Sequence, residues 1–317
     1  MIFNPDFKIA GLVVAYRNKE KLVRCINALL NQSYPLYCVI VVDNSEMKLY
    51  PDSQYDDDRV VIINAVDNMG ISGGLNIGFQ YALTKGLDWC WTFDQDSEPL
   101  SNALEELLKY LPELIGKYSN KIGIISSTGI STVSKMLYRG NSAKWLPSPT
   151  KISYHNLIYE CDLLLTAGSL TNLNFIKLYG GMNEILFIDW VDYELCLRMV
   201  KKKYKLLCCQ SSLFYHQIGG EVEYSNNQIE THKFNKIRLY YLIRNGTYCI
   251  IHQSFGFKRF FYLFFFMLKE FYYIKKQDEQ MTVFFVALYH GLLKIMKKHT
   301  NVCNLIETHK KRFNIIR

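Results

Sequence analysis

In the stretch WCWTFDQDSEPLS, Asp94 and Asp96 stand one residue apart, directly after a run of apolar and aromatic side chains. A one-residue gap lets a loop turn both carboxylates toward a single hard cation. Mg²⁺ and Mn²⁺ favour such oxygen ligands and often share them with substrate phosphates. The pair alone has little specificity, because acidic residues crowd many surfaces; Asp56, Asp57 and Asp58 read as a solvated loop of that kind. Further along, FIDWVDYELCLR places Asp189, Asp192 and Glu194 within six residues. Beside a metal-binding pair, an acid there suits a general base, which takes a proton from a hydroxyl nucleophile within hydrogen-bond reach. The same spacing also fits an ordinary helix start, with Asp192 as N-cap and Glu194–Arg198 as an i,i+4 ion pair. His216, in LFYHQIGG after another apolar run, suits a third metal ligand or a structural imidazole. The glycines of DNMGISGGLNIG (67–78) permit close backbone approach, so a nucleotide or sugar is expected to lie against Ser72–Leu75. The stretch is neither G-x-G-x-x-G nor a Walker motif.

These residues need a frame that brings them together. KIAGLVVAY (8–16), CVIVVDNS (38–45), VVIINAVDN (60–68) and DWCWTFDQD (88–96) are apolar runs of strand length. Between them, KLVRCINALLNQS carries Leu22, Cys25, Ile26, Leu29 and Leu30 at helical spacing, and SGGLNIGFQYALTKG (72–86) opens on glycines and turns amphipathic. Alternating strand and helix with doubly apolar strands predicts an α/β fold, a mostly parallel central sheet flanked by helices. Ligands of such sheets collect at the carboxyl ends of the strands. Tyr16 and Arg17, Asp43 and Asn44, Asn68, and Asp94 and Asp96 follow four successive strands.

Composition narrows the class. The 317 residues are 49% hydrophobic and 21% charged, which describes a folded chain. The nine cysteines form no CxxC pair and read as reduced core thiols of a cytosolic protein. The N-terminus lacks the basic start, apolar run and cleavage site of a signal peptide. Net charge is +8, with much of the excess after residue 200 in KKKYK, FGFKRF, YYIKKQ, KIMKKHT and HKKRF. Because these basic residues flank aromatic runs, an anionic membrane surface fits better than nucleic acid. The apolar stretch Phe260–Leu268 is nine residues long, short of the about 20 needed to span a bilayer. With Lys258, Arg259 and Lys269 around it, an interfacial helix is expected, against the alternative of helices packed on the domain.

Seven stretches, VVAYRNKEKLVRCINALLNQS, VIVVDNS, DNMGISGGLNIGF, WTFDQDS, TAGSL, GGMNEILFIDWVDYELCLR and FYHQIGG, together resemble the family 2 glycosyltransferases. They cover about residues 8–220, and DQDS with FIDWVDYE points to the rhamnosyltransferase-like branch of O-antigen and capsule synthesis. The resemblance implies a GT-A catalytic domain over 1–225 and a helical, basic, aromatic-rich region over 226–317 for membrane association or oligomerisation. It implies inverting transfer of a sugar, dTDP-rhamnose first, from a nucleoside diphosphate to a lipid-linked saccharide. The work would be done peripherally at the inner face of the cell membrane with a divalent cation, Mn or Mg. On the family pattern Ala15, Tyr16, Arg17 and Asp43 would hold the nucleoside. Asn68, Gly70, Gly73, Gly74 and Asn76 would shape the donor pocket, with Asp94 beside the ribose or sugar. Asp96 and His216 would ligate the metal, and Asp192 would be the base, supported by Asp189, Trp190 and Glu194. Relatives often carry Glu-Asp at the base motif, where this chain has Val191 before Asp192. Arg17, Lys19 or Arg244 would add charge to the diphosphate, with nothing in the sequence to choose among them.

Other functions weighed on the same residues are a UDP-hexose or UDP-galactofuranose transferase, a nucleotidyltransferase and a non-catalytic assembly protein. A nucleotidyltransferase would carry a basic glycine-rich loop near the N-terminus, and VVAYRNKEK has no glycine after Gly11. Intact acids at 94, 96 and 192 weigh against the non-catalytic reading.

Overall fold

The computed structural model describes residues 7–132, 137–138, 157–216, 224–225, 228–229, 236–253, 261, 264–265, 267–268, 271 and 281–296. Its contacts divide the chain into two compact units, residues 1–182 with 195–217, and residues 183–194 with 218–317.

The first unit is built on one sheet. Strands β1 (Ile9–Ala15) and β2 (Cys38–Asp43) are buried at every position, as doubly covered parallel strands must be. β3 (Val60–Asn64) and β4 (Trp89–Asp94) complete a parallel quartet in the order β3-β2-β1-β4. Next to β4 lies β9 (Ser169–Asn172), antiparallel to it, followed by β6 (Ile122–Ser131) and β10 (Lys205–His216), which run parallel to one another. Since β9 is antiparallel to both neighbours, β6 and β10 point the same way as β1–β4. Their carboxyl ends therefore share one edge. Shorter β5 (Ser97–Pro99), β7 (Leu137–Tyr138) and β8 (Ile158–Cys161) pair antiparallel at the margins. The mostly parallel sheet read from the sequence is present, with β9 running antiparallel in its middle.

Helices α1 (Lys19–Leu30) and α2 (Gly70–Thr84) flank the quartet. Asn18 caps α1 by accepting from the Lys21 amide, and Leu22, Cys25, Ile26 and Leu29 face the core, as their spacing predicts. The glycines of α2 have a packing role. A Cβ on Gly74 would come within 2.6 Å of Val14 Cγ1, and one on Gly78 within 2.2 Å of Leu12 Cδ1. Missing side chains thus let α2 sit directly on β1. The remaining helices of this unit are α3 (Ala103–Leu108), α4 (Leu111–Lys117), α5 (Leu173–Tyr179) and most of α6 (Val191–Lys201). The described cysteines, from Cys25 to Cys249, are all buried free thiols, in keeping with the reading as reduced core residues.

The second unit holds the 3₁₀ turn Glu184–Leu186, the first residues of α6, a short ladder β11–β12 (Tyr224–Ser225 with Gln228–Ile229), α7 (Lys236–Tyr248) and α8 (Met281–Leu292). Leu239, Tyr240, Tyr241 and Ile243 pack with Val283, Phe284, Val286 and Ala287. Tyr240 and His290 share a buried 2.7 Å hydrogen bond. At Gly291 the two helices approach closely, since a Cβ there would meet the Arg244 carbonyl oxygen at 2.6 Å. Residues 261, 264–265, 267–268 and 271 are helical, while Lys258, Arg259 and Lys269 lie outside the described residues. No helix among the described residues is long and apolar enough to cross a membrane.

Candidate active site

Two strands deliver the acidic pair and the histidine to one place. Asp94 ends β4, and Asp96 follows in the turn to β5. β10 shifts register against β6 between Cys208 and Leu213. Such an irregularity bends a strand and re-aims its later side chains. Beyond it, Phe214, Tyr215 and His216 face Pro99, Glu98 and Ser97 of β5. His216 is therefore paired with the residue next to Asp96. Beneath the turn, Phe93 packs edge-on between Trp91 (4.6 Å) and Phe214 (5.5 Å).

Asp94, Asp96 and His216 each offer a ligand atom, all within 4.8 Å of one another. His216 Nδ1 lies 3.3 Å from Asp96 Oδ1 and 3.0 Å from Ser97 Oγ, and its Nε2 lies 3.7 Å from Asp94 Oδ2. Burial by itself would lower the His216 pKa. The hydrogen bond to Asp96 and the charges of Asp94 and Asp96 outweigh it and raise the value. Burial would likewise raise Asp96, but the bond and charge of His216, with Lys21, hold it below the usual carboxylate value. Two carboxylates and one imidazole, partly withdrawn from water, form a donor set that fits Mg²⁺ or Mn²⁺. The sequence reading separated Asp94 from the metal ligands, whereas the structure gathers it with Asp96 and His216.

Gln95, unremarked in the sequence, ties this turn to the loop after β1. Its Oε1 accepts from the Tyr16 amide at 2.8 Å and its Nε2 donates to the Tyr16 carbonyl at 2.9 Å. The Arg17 amide donates to Ser45 Oγ at 2.8 Å, and the Asn44 amide to the Ala15 carbonyl at 2.9 Å. Loops from β1, β2 and β4 are thereby cross-linked at the shared edge, with Arg17 in a left-handed conformation at φ 60°.

Several donor-site expectations are altered. Asp43 is fully buried, with Oδ1 accepting from the Ser45 amide and Oδ2 from the Leu49 amide. It shapes the 44–49 loop from within, in place of an open nucleoside contact. Ser72, Gly73, Gly74 and Leu75 are buried within α2, where Gly74 faces Val14 and Asn44. Asn76 bridges to the Met182 main chain, accepting from its amide at 2.6 Å and donating to its carbonyl at 2.9 Å. Asn68 and Gly70 form the turn before α2, where Asn68 Oδ1 accepts from the Gly70 amide at 2.9 Å. Asn44 Nδ2 donates to the Gly70 carbonyl at 2.7 Å and holds that turn to the end of β2.

The three cations proposed for the diphosphate are engaged elsewhere. Arg17 makes a two-pronged ion pair with Glu46, at 2.8 Å on both arms. Lys19 Nζ sits 4.2 Å above the Tyr50 ring. Arg244 is fully buried in the second unit and donates to the Ile185 and Leu186 carbonyls at 2.9 and 3.3 Å. Among the described residues, Lys21 is a cation at the acidic turn, with Nζ 3.6 Å from Asp96 Oδ2. Only its place two residues into α1 could have pointed to it.

In the second unit the acidic motif follows an unusual backbone. Phe187, Asp189 and Trp190 have φ of 66°, 56° and 65°. Side chains other than glycine rarely adopt such values, and each costs on the order of 1–3 kcal/mol where it occurs. Asp189 is partly buried, with Oδ1 3.4 Å from Arg238 Nη2; loss of water around it pushes its carboxyl up, and Arg238 only partly offsets that. Asp192 falls inside the first turn of α6 with its Oδ1 accepting from the Tyr193 amide at 2.9 Å, and Trp190 packs edge-on against Tyr193 at 5.4 Å. Glu194 is buried. Arg198, four residues beyond Glu194, donates from its guanidinium to the carbonyls of Tyr179, Gly180 and Gly181.

Residues 12–140 match the family described as Glycosyl transferase family 2. The chain carries a family 2 glycosyltransferase domain. The dTDP-rhamnosyl transferase RfbF of Shigella flexneri is 27% identical over 244 residues, 75% of this chain and 78% of RfbF. Among solved structures, S. aureus TarS 1-349 in complex with UDP-GlcNAc superposes with a TM-score of 0.57 at 13% identity, over 89% of this chain and 80% of that one. GalNAc-T7 with UDP, GalNAc and Mn²⁺ gives a TM-score of 0.56 at 13% identity. It matches 78% of this glycosyltransferase, which spans about half of GalNAc-T7 (49%). The fold is therefore the GT-A arrangement expected from the sequence motifs, and the glycosyltransferase assignment sets the nucleotidyltransferase reading aside.

Proposed function

We propose that this glycosyltransferase moves rhamnose from dTDP-rhamnose to a saccharide hydroxyl with inversion, the acceptor being lipid-linked and the product a bacterial surface polysaccharide. The observation that carries it is the Asp94–Asp96–His216 cluster at the carboxyl edge of a family 2 sheet. Likeness to RfbF supports the choice of donor. Asp96, His216 and Asp94 would hold a divalent cation, and the Mn²⁺ present with UDP in GalNAc-T7 supports that part of the reading. When bound, such a cation supplies Lewis-acid neutralisation of the charge that gathers on a diphosphate leaving group.

The remaining work falls to the chain's own residues. Asp192 removes the proton of the acceptor hydroxyl, which attacks the anomeric carbon from the side opposite the departing diphosphate. Asp189, Trp190 and Glu194 shape and support the surroundings of that base. Gln95, Ser45 and Asn44 keep the 15–17 loop in place for the nucleoside, with Asp43 setting the loop that follows β2.

Thermal shift with a panel of nucleotide sugars tests the donor. With Mn²⁺, dTDP-rhamnose at 100 times its Kd is expected to stabilise the protein by about 2.7 kcal/mol through mass action, and EDTA to remove the shift. Stabilisation by UDP-hexose or UDP-galactofuranose in its place would favour the second donor class, which the UDP-sugar bound to TarS supports.

We also propose that the region from 226 onward rests on an anionic membrane surface at the inner face of the cell membrane. Phe261, Phe264, Phe265 and Leu268 recur at helical spacing and are 59%, 57%, 65% and 49% exposed. Burying one such side chain contributes about 1.5–3 kcal/mol, so replacing Phe264 and Phe265 by Ser is expected to weaken co-flotation with phosphatidylglycerol-containing vesicles at least about tenfold. Unchanged flotation would leave a second subunit as the partner of that face.

A further inference from the structure

The face of α7 that meets the 185–190 segment is too costly to be incidental. Arg244 and Asn245 are consecutive, and both are completely buried on a helix otherwise lined by Leu239, Tyr240, Tyr241 and Ile243. Buried polar groups of this size are tolerated only when their donors find acceptors. Five of their hydrogen bonds end on main-chain carbonyls of one short piece of chain, residues 185–189. Arg244 Nη2 donates to the carbonyls of Ile185 (2.9 Å) and Leu186 (3.3 Å). Asn245 Nδ2 lies within 2.8 Å of the Leu186 carbonyl, 2.7 Å of Ile188 and 2.9 Å of Asp189. Arg244 Nε donates to Asn245 Oδ1 at 2.9 Å, which fixes the amide with its nitrogen toward those carbonyls. On the same face Tyr241 packs on Phe187 at 5.2 Å, and Arg238 reaches Asp189.

The carbonyls of 186, 188 and 189 converge on one nitrogen because Phe187, Asp189 and Trp190 are held at positive φ. A plain connection into α6 would need no such strain. Strained backbone persists where surrounding contacts over-determine it, and it gathers where a side chain must be presented in one way. The side chain just past this segment, one residue beyond Val191, is Asp192.

We propose that Arg244 and Asn245 are positioning residues for transfer: their donors hold the 185–190 backbone and so fix where the Asp192 carboxylate is presented. This rests on the reading of Asp192 as the base. It gives the buried guanidinium a task other than diphosphate binding, and it makes α7 part of the catalytic apparatus.

The test uses the full chain with dTDP-rhamnose, Mn²⁺ and a synthetic polyprenyl-diphosphate saccharide. Asn245→Asp keeps the size of the side chain but turns an acceptor toward three carbonyls. It is expected to lower kcat at least about tenfold, since misplacing a reacting group by about 1 Å costs on the order of 10²-fold. KM for the donor should stay within about twofold, the split that marks loss in the transition state alone. Arg244→Lys should act in the same direction. In an Asp192→Asn background, Asn245→Asp should have no further effect on residual transfer, because both changes remove the same contribution.

Val283→Ala, a cavity in the α7–α8 core, serves as the stability control and should leave kcat unchanged. Full activity in Asp192→Asn would remove the base assignment itself, separately from the role of the pair. With that variant inactive, unchanged kcat in Asn245→Asp overturns the positioning role. So does a fall in kcat that follows Tm as closely in Val283→Ala. Loss of fold in both Asn245→Asp and Arg244→Lys, with Val283→Ala folded, also overturns it, because the pair would then be structural.

Discussion

Replacing Asp192 by Asn is expected to lower sugar transfer by a factor of about 10²–10⁴ while nucleotide-sugar binding stays as it was. The substitution is nearly isosteric, and the amide oxygen can still accept from the Tyr193 amide, so the first turn of α6 keeps its bond. The property removed is basicity. An acceptor hydroxyl attacks slowly unless its proton departs as the new bond forms, and an amide cannot take that proton. The loss corresponds to about 2.7–5.5 kcal/mol of barrier. Transfer assayed by release of dTDP, with donor affinity measured separately, checks both halves. A variant that transfers at the native rate would place the base elsewhere, with Glu194 and Asp189 the next acids to replace.

The elements that carry these groups differ in how openly the sequence declares them. β1, β2 and β4 could be read directly, because a strand buried on both faces must be an unbroken apolar run. Helix α1 announced itself through the spacing of Leu22, Cys25, Ile26 and Leu29. Asp94, Asp96 and His216 were legible as residue types. Their meeting was not, because it depends on β5, three residues long and ending in Pro99, pairing with a bent β10 more than a hundred positions away. Strand signals of that length have no periodicity to detect.

Gly74 and Gly78 misled for a related reason. The atoms they make room for belong to Val14 and Leu12, some sixty residues earlier, so local inspection assigns the vacant space to a ligand. Arg244 was misread because charge is visible in a sequence and burial is not. A signal was nonetheless present, since Arg244 and Asn245 directly follow the aromatic and apolar run LYYLI (239–243). The positive φ values at 187, 189 and 190 have little counterpart in residue type, because only Asp189 of the three belongs to the residues enriched in that region. Only the folded backbone reveals them.

Asp96→Asn is the second change with a large expected effect, and its local consequences can be followed atom by atom. Asp96 Oδ1 faces His216 Nδ1 at 3.3 Å and Oδ2 faces Lys21 Nζ at 3.6 Å. An amide in its place removes one negative charge from a set of two carboxylates and an imidazole. Cation affinity should fall by more than the about 10–100-fold that follows loss of a partner merely hydrogen-bonded to a metal ligand. Transfer should fall by about 10²–10³, the effect of removing one preorganised electrostatic contact to a charge that develops in the transition state. The fold should hold, because Ser97 Oγ remains 3.0 Å from His216 Nδ1 and the β5–β10 pairing uses main-chain bonds. Mn²⁺ titration followed by the Mn²⁺ electron paramagnetic resonance signal reads the affinity directly, and Asp94→Asn beside it separates the two carboxylates. Equal losses in both variants would make Asp94 a ligand, as its place in the cluster suggests. Loss of cation in Asp96→Asn alone, with a raised donor KM in Asp94→Asn, would assign Asp94 to the sugar or ribose. Native Mn²⁺ affinity in both would show that the acidic turn serves some other end, and would leave the diphosphate to be neutralised by Lys21 and its neighbours.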